Sequence, residues 1–136
     1  MSDFNQKIIA EFRENDGVVG GYFEGQTVLL LHTTGAKSGK ARVNPVVTIE
    51  DGDRFVIIAS AGGAEKHPAW YHNLKANPGV TVEVGTEKFE AQASITEEPE
   101  RSELYAKMVA RMPGFAEYEE KTAGIRTIPV ITLNRN

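Results

Sequence analysis

Six short segments rich in β-branched and aromatic residues constrain the fold of this 136-residue chain more than any other feature. Each has the length and composition of a strand, and the connections between them contain glycine, proline, asparagine or aspartate. The segments are residues 27–33, 43–50, 54–60, 80–84, 89–95 and 128–133. Asp51-Gly52 and Gly85-Thr86 are connections short enough for hairpins, which join antiparallel strands. The sequence therefore predicts a mainly antiparallel sheet.

Four further segments have helical spacing of apolar residues: 3–15, a helix beginning near Pro68, 99–112 and 115–121. The continuous apolar run within 54–60 indicates a strand buried on both faces, as in a closed barrel. Pro129 lacks an N–H for a sheet ladder, so it predicts an edge or a bulge in the last strand. We expect one α+β domain over residues 1–136, with an N-terminal helix and lead-in at 1–20. Its core would be a split β-barrel of about six mainly antiparallel strands with flanking helices.

Composition excludes several classes of function. The net charge of −4 gives no basic field of the kind that nucleic-acid binders need. The absence of cysteine excludes disulfides, zinc-thiolate sites and a cysteine nucleophile, and fits a cytoplasmic protein. No apolar run reaches the roughly 20 residues of a membrane span, and the N-terminus is too polar for a signal peptide. His67 and His72 are five residues apart, not the four of a helical zinc pair, so no metal site is expected.

The stretch TTGAKSGKARVNP, residues 33–45, has the small and basic residues of a phosphate-binding loop. It is not a P-loop, because Gly35 and Gly39 are one residue too close and Ala41 supplies no hydroxyl after Lys40. A P-loop also opens a helix, whereas Pro45 and the β-branched residues after it favour a strand. We therefore expect the corner of a hairpin that carries anion-binding side chains.

Three clusters of residues are expected to meet at one mouth of the barrel. Lysine and arginine in 37–42 can neutralise phosphate or carboxylate. Small residues in 59–63 allow a flat ring to approach the backbone, where Ser60 can hydrogen-bond. Trp70, within 68–73, supplies apolar area. Together they predict a pocket for an aromatic cofactor with an anionic tail.

Each cluster also has a structural explanation. Lys37 and Lys40 could be solvated charges at a hairpin tip, and Gly62-Gly63 could be only a turn. A lone tryptophan such as Trp70 is more often a core residue than a cofactor contact. The apolar face of the first helix is expected to dock on its own barrel, with contact to a partner or a membrane surface as the alternatives.

The motifs TTGAKSGKARVNP, IIASAGGAEKHPAWYHNLKANP and IRTIPVITL resemble those of the deazaflavin-dependent nitroreductases, also described as reduced-deazaflavin-dependent quinone reductases. The resemblance covers roughly residues 25–134. It implies a split β-barrel like that of the FMN-binding pyridoxamine phosphate oxidases. It also implies coenzyme F-420, an 8-hydroxy-5-deazaflavin with a phosphodiester and an oligoglutamate tail.

The resemblance implies a role for residues in all three clusters. Those expected to hold the phosphate and the start of the tail are Lys37, Ser38 and Arg42. The strand beside the cofactor would be lined by Val43, Asn44, Pro45, Val46 and Val47. Residues along the deazaflavin ring would be Ile58, Ala59, Ser60 and Ala61. The phosphate and ring pocket would be completed by Ala69, Trp70, Tyr71, His72 and Asn73.

The implied reaction is hydride transfer from the reduced cofactor to a quinone-like or other electron-poor acceptor, with Ser60 as the catalytic candidate that polarises the acceptor or the ring edge. Phe115 and Tyr118 would bind the acceptor. Phe115 stands where nitro-reducing members carry a tyrosine, so weak activity on bulky nitro compounds is expected. The alternatives are an FMN-dependent oxidoreductase of the same fold and a non-catalytic deazaflavin carrier. Peripheral membrane contact through the first helix and a homodimer are left open.

Overall fold

The computed structural model describes residues 3–23 and 25–136 and contains six strands and four helices in those ranges. In chain order they are α1 (Asp3–Glu14), β1 (Val28–Thr34), β2 (Ala41–Asp51), β3 (Arg54–Ile58), α2 (Ala69–Ala76), β4 (Gly79–Val84), β5 (Glu87–Ile95), α3 (Glu100–Arg111), α4 (Gly114–Thr122) and β6 (Val130–Arg135). Short 3₁₀ turns lie at Gly21–Phe23 and Ala61–Gly63. The predicted elements are all present, although the third strand ends at Ile58 and does not extend to Ser60.

The strands form a closed antiparallel barrel in the order β1-β2-β3-β6-β5-β4, and β1 also pairs with β4. The α+β barrel prediction is therefore confirmed. The prediction of an edge or bulge at Pro129 is wrong, because β6 lies between β3 and β5 and begins one residue later. Pro129 needs no ladder donor at that point, and its carbonyl accepts the N–H of Ala59 at 3.0 Å.

Apolar residues of the strands are buried on both faces, because the interior face fills the barrel and the outer face is covered by helices. Leu29, Leu31 and Ile57 point into the barrel core, together with Trp70 and Leu74 of α2. On the outside, Val56 and Ile58 of β3 pack against α3 and α4 in a second cluster. This two-sided burial explains why β3 reads as a continuous apolar run.

The apolar face of α1 packs on the outside of β1, as expected. Ile8, Ile9 and Phe12 are buried in a cluster with Val28 and Leu30. Phe4, in the first turn of the same helix, is 50% exposed. None of the helices within the described ranges is long and apolar enough to span a bilayer.

Candidate functional site

Two cavities lie side by side along β2 and α2. The first, of about 600 Å³, is called the ring cavity here, and the second, of about 690 Å³, the tail cavity. Pro45 of β2 and Trp70 of α2 line the ring cavity, while their chain neighbours Asn44 and Ala69 line the tail cavity. The same strand and the same helix therefore contribute to both.

The ring cavity is lined by aromatic, aliphatic and polar side chains together. Predicted site residues that line it are Pro45, Val46, Val47, Ile58, Ser60, Ala61, Trp70, Phe115 and Tyr118. Trp70 is only 8% exposed and belongs to the barrel core, as the structural explanation expected, and it also lines this cavity. The corner between α3 and α4, at Met112 and Pro113, closes the side opposite β2.

The loop that follows β3 has an unusual backbone where it lines the ring cavity. Ser60 is right-handed, whereas Ala61 has a φ of 49°, a left-handed value that is uncommon for a residue with a side chain. Gly62 and Gly63 continue with φ of 64° and 84°. A side chain at Gly63 would meet that of Lys121 at 2.9 Å, which shows how closely this loop approaches α4.

The side chain of Arg126, which the sequence did not predict to be part of the site, makes several hydrogen bonds to this loop. Its Nη1 donates to the carbonyl of Ala59 at 3.1 Å and to Nδ1 of His67 at 2.9 Å. Its Nη2 donates to the carbonyl of Ser60 at 2.7 Å, and its Nε to that of Ala64 at 3.0 Å. A single arginine in the IRTIPV motif carries no pattern from which this role could have been read.

The tail cavity contains the anion-binding candidates. Predicted residues that line it are Lys37, Ser38, Arg42, Val43, Asn44, Ala69, His72 and Asn73. Lys37 and Arg42 are exposed, and neither side chain makes an ion pair or a hydrogen bond with a described residue. Asn5 of α1 also lines this cavity, although no sequence pattern predicted it.

Asn73 fixes the loop between β1 and β2 at the tail cavity. Its Oδ1 accepts the N–H of Ala36 at 3.0 Å, and its Nδ2 donates to the hydroxyl of Thr33 at 3.2 Å. Inside the loop, the N–H of Gly35 donates to the carbonyl of Lys40 at 2.8 Å. The side-chain amide of Asn73 is therefore already engaged with the protein's own loop.

Two predicted site residues line neither cavity. Ala59 is fully buried and Tyr71 is 8% exposed, both within the barrel core. The other predicted residues divide between the two cavities, and Ser60 and Trp70 lie on the ring side with Phe115 and Tyr118. Gly62 of the predicted 59–63 cluster also lines the ring cavity, and lining residues absent from the prediction include Gln26, Thr48 and Arg111.

Two titratable groups near the ring cavity have shifted pKa values. Burial, reinforced by the nearby charge of Arg126, lowers the pKa of His67. Burial raises the pKa of Tyr105 to about 12, and its hydroxyl donates to the carbonyl of Phe115 at 2.6 Å. Within the described ranges, no three acidic or histidine side chains are grouped so as to hold a metal ion.

Comparison with known proteins decides the family. The profile described as F420H(2)-dependent quinone reductase matches residues 5–135. The chain belongs to this family. An F420H(2)-dependent quinone reductase of Mycobacterium tuberculosis is 37% identical over 130 residues, which cover 93% of this chain and 86% of the relative.

Two solved structures support both the fold and the family. One, an F420-H2 dependent reductase, is 41% identical with a TM-score of 0.71, over 79% of this chain and 93% of that one. Another, described as a domain-swapped dimer, is 38% identical with a TM-score of 0.73, over 95% of this chain and 93% of that one. These relatives give no support to FMN as the cofactor. A homodimer, membrane contact and a cytoplasmic location stay predictions for this chain.

Proposed function

We propose that this protein transfers a hydride from reduced coenzyme F-420 to a quinone, with the deazaflavin in the ring cavity and its acidic tail in the tail cavity. The observation that carries the proposal is the pairing of two adjacent cavities with different chemistry. One contains the aromatic side chains of Trp70, Phe115 and Tyr118, and the other presents the side chains of Lys37 and Arg42 without ion-pair partners among the described residues. An aromatic cofactor with an anionic extension needs both environments at this spacing.

Polar groups at the ring cavity fit the hydrogen-bonding edge of a deazaflavin. The amide N–H groups of Ser60, Ala61 and Gly62 donate to no described residue, and all three residues line the cavity. The Ser60 hydroxyl likewise has no described partner, although the residue is 8% exposed. Ordered donors without protein acceptors are suited to ring carbonyls.

The protein's own contribution is to bind, orient and exclude water. When bound, the reduced deazaflavin supplies a hydride from C5. Trp70 and Ile58 provide an apolar wall that keeps water from the reacting faces, while Phe115 and Tyr118 face the acceptor from α4. Tyr105 holds the backbone of Phe115 through its hydroxyl, which fixes the acceptor side of the cavity. We assign Ser60 the role of polarising the acceptor or the ring edge.

An anaerobic assay with reduced coenzyme F-420 and menadione tests the function. Oxidation of the cofactor well above a protein-free control is expected. No such oxidation across several quinones, with cofactor binding intact, would favour the carrier alternative. Titration with FMN separates the flavin alternative, since binding of FMN without binding of the deazaflavin would overturn the cofactor assignment.

The role of Ser60 has a matched test in the second serine of the site. Ser60→Ala should lower kcat roughly tenfold, since one lost hydrogen bond of about 1.4 kcal/mol in the transition state has that effect. Cofactor affinity should change little. Ser38→Ala should show the reverse pattern, because Ser38 lines the tail cavity. An unchanged kcat in Ser60→Ala would remove it from the reaction.

A further inference from the structure

Arg126 lies behind the loop that lines the ring cavity and not within the cavity itself. It contacts residues 59–67 through all three of its guanidinium nitrogens, yet it is absent from the cavity wall that Ser60 and Ala61 form. Such a fan of hydrogen bonds uses the planar fork of arginine, which a lysine could not reproduce. Arg126 thus contacts the loop from the side opposite the cavity in which a ligand would bind.

The consequence follows from the geometry of the peptide bond. In a planar trans peptide, the carbonyl of one residue and the N–H of the next point in opposite directions. Arg126 holds the carbonyls of Ala59 and Ser60, so it also sets the direction of the N–H groups of Ser60 and Ala61. Those N–H groups point away from the guanidinium, toward the cavity side of the loop.

The backbone of the loop needs such support. Right-handed Ser60 followed by left-handed Ala61 is a combination that turns successive N–H groups to one side and forms a concave donor site. The left-handed conformation of Ala61 is strained for a residue with a Cβ, and it persists only where surrounding contacts impose it. Two sets of contacts supply that constraint. The N–H of Gly63 donates to the carbonyl of Ser60 at 2.9 Å, and Arg126 holds the carbonyls of Ala59 and Ser60.

Arg126 also joins the two halves of the ring cavity. Its own N–H donates to the carbonyl of Thr122 at the end of α4, the helix that carries Phe115 and Tyr118. The loop meets α4 directly at Gly63, where the Cα of Tyr118 would lie 3.5 Å from an added Cβ. Arg126 therefore links the loop on the cofactor side of the cavity to α4 on the acceptor side, so that a displacement of one should displace the other.

We propose that Arg126 is a positioning residue: it aims the amide N–H groups of Ser60 and Ala61 at the polar edge of the deazaflavin and keeps this loop in register with α4. The inference rests on the proposed function, since it assumes the deazaflavin in the ring cavity. Arg126 does not touch the cofactor. It acts only through the peptide planes it holds, so its loss should disturb binding and the acceptor site together.

The experiment compares Arg126→Lys with Arg101→Lys. Arg101, which is buried whereas Arg126 is half-buried, also donates to a backbone carbonyl, that of Ile128 at 3.0 Å. It pairs with Glu119 of α4 but makes no hydrogen bond to the loop among the described residues. Affinity for coenzyme F-420 is measured by fluorescence, and amide hydrogen exchange at residues 60–62 is measured by NMR in the cofactor-free protein. We expect at least tenfold weaker binding and faster exchange in Arg126→Lys only. Equal effects in the two variants, or none in Arg126→Lys, would overturn the proposal.

A second pair of variants moves the loop without changing Arg126. Gly63→Ala should disturb the contact between the loop and α4, because the added Cβ would displace the Lys121 side chain, whose Cδ lies at 2.9 Å, and would lie 3.5 Å from the Cα of Tyr118. Gly52→Ala has a similar positive φ but open space around it, so it carries the backbone strain alone. Weaker cofactor binding and a raised KM for menadione are expected in Gly63→Ala but not in Gly52→Ala. Equal values in both variants would contradict the coupling.

Guanidinium rescue provides a readout that a purely structural role would not give. Millimolar guanidinium should restore part of the cofactor affinity lost in Arg126→Ala, while leaving Arg101→Ala unchanged. If Arg126→Ala does not fold, Arg126→Lys and Gly63→Ala decide the matter. Wild-type protein that neither binds nor oxidises the reduced cofactor would refute the proposed function, whereas normal wild-type activity with unaffected Arg126 variants would refute this inference alone.

Discussion

Replacing Asn73 with alanine should destabilise the protein and loosen the tail cavity at the same time. The substitution removes two hydrogen bonds, to the N–H of Ala36 and to the hydroxyl of Thr33. Each is worth about 1 kcal/mol, and the Thr33 hydroxyl, at 3% exposure, adds up to about 2 kcal/mol if it is left without its partner. Ala36 is exposed, so water can replace the amide oxygen there. The sum is about 2–4 kcal/mol.

At roughly 3–4 °C per kcal/mol for a domain of this size, the expected fall in Tm is about 6–16 °C. Circular dichroism melts provide the measurement, and urea titrations provide the free energy of unfolding. Asn77→Ala is the matched control. Asn77 also reaches from α2 to β1, but its bond to the carbonyl of Thr34 is long, at 3.5 Å, and exposed, so its loss should cost less than about 0.5 kcal/mol.

A double variant, Thr33→Val with Asn73→Ala, tests the reasoning behind that magnitude. Removing both partners leaves no orphaned hydroxyl, so the double variant should be less destabilised than the sum of the two single ones, by about 0.5–3 kcal/mol. Affinity for coenzyme F-420 should fall in Asn73→Ala because the loop at Ala36 is no longer fixed. A Tm within 2 °C of wild type, or strictly additive single effects, would refute the account.

Three further predictions concern charge, acceptor choice and pH. Charge reversal at Lys37 or Arg42 should weaken cofactor binding, more at low salt than at high salt. Titration with the cofactor at two ionic strengths measures this. Unchanged affinity in both variants would mean that these side chains are solvated loop charges. Phe115→Tyr should raise the reduction of bicyclic nitro compounds by tenfold or more while quinone reduction stays, and equal nitro rates in the two proteins would count against a role for that ring. The pKa of His67 is lowered in the folded state, so unfolded protein takes up a proton below about pH 6.5 that folded protein refuses. Stability should therefore fall on acidification through that range, by at most about 1.4 kcal/mol per pH unit, and less steeply in His67→Asn; parallel pH profiles of Tm would show that His67 does not titrate as described.

The sequence predicted the elements well because their signals are local. The two hairpin turns and the double-sided burial of β3 were all readable from neighbouring residues. The sequence predicted a barrel but not which strands pair to close it, because the pairings of β1 with β4 and of β3 with β6 join distant parts of the chain. The edge or bulge predicted at Pro129 was wrong because a backbone N–H is needed within a strand, and β6 begins one residue after this proline.

Residue types alone predicted a ring pocket with an anion-binding loop, whereas the individual contact residues were predicted only from the family resemblance. Cationic and small residues in short loops indicated anion and ring binding, and they do line adjacent cavities. Ala59 and Tyr71 lie in the core instead, Ala59 directly after β3 and Tyr71 on the face of α2 that packs on the barrel. Arg126 could not be found from the sequence, since its role depends on backbone carbonyls about 60 residues away.

The closed strand order also sets how this protein can fold. Arg54 in β3 pairs with Asn134 in β6, so the barrel cannot close until strands far apart in the chain have met. Such non-local pairing is entropically costly early in folding and is associated with slow folding rates. Until β6 docks, β3 and β5 would present unpaired edges open to strands of other copies. The order of assembly thus makes the last strand the step that protects nascent chains from intermolecular pairing.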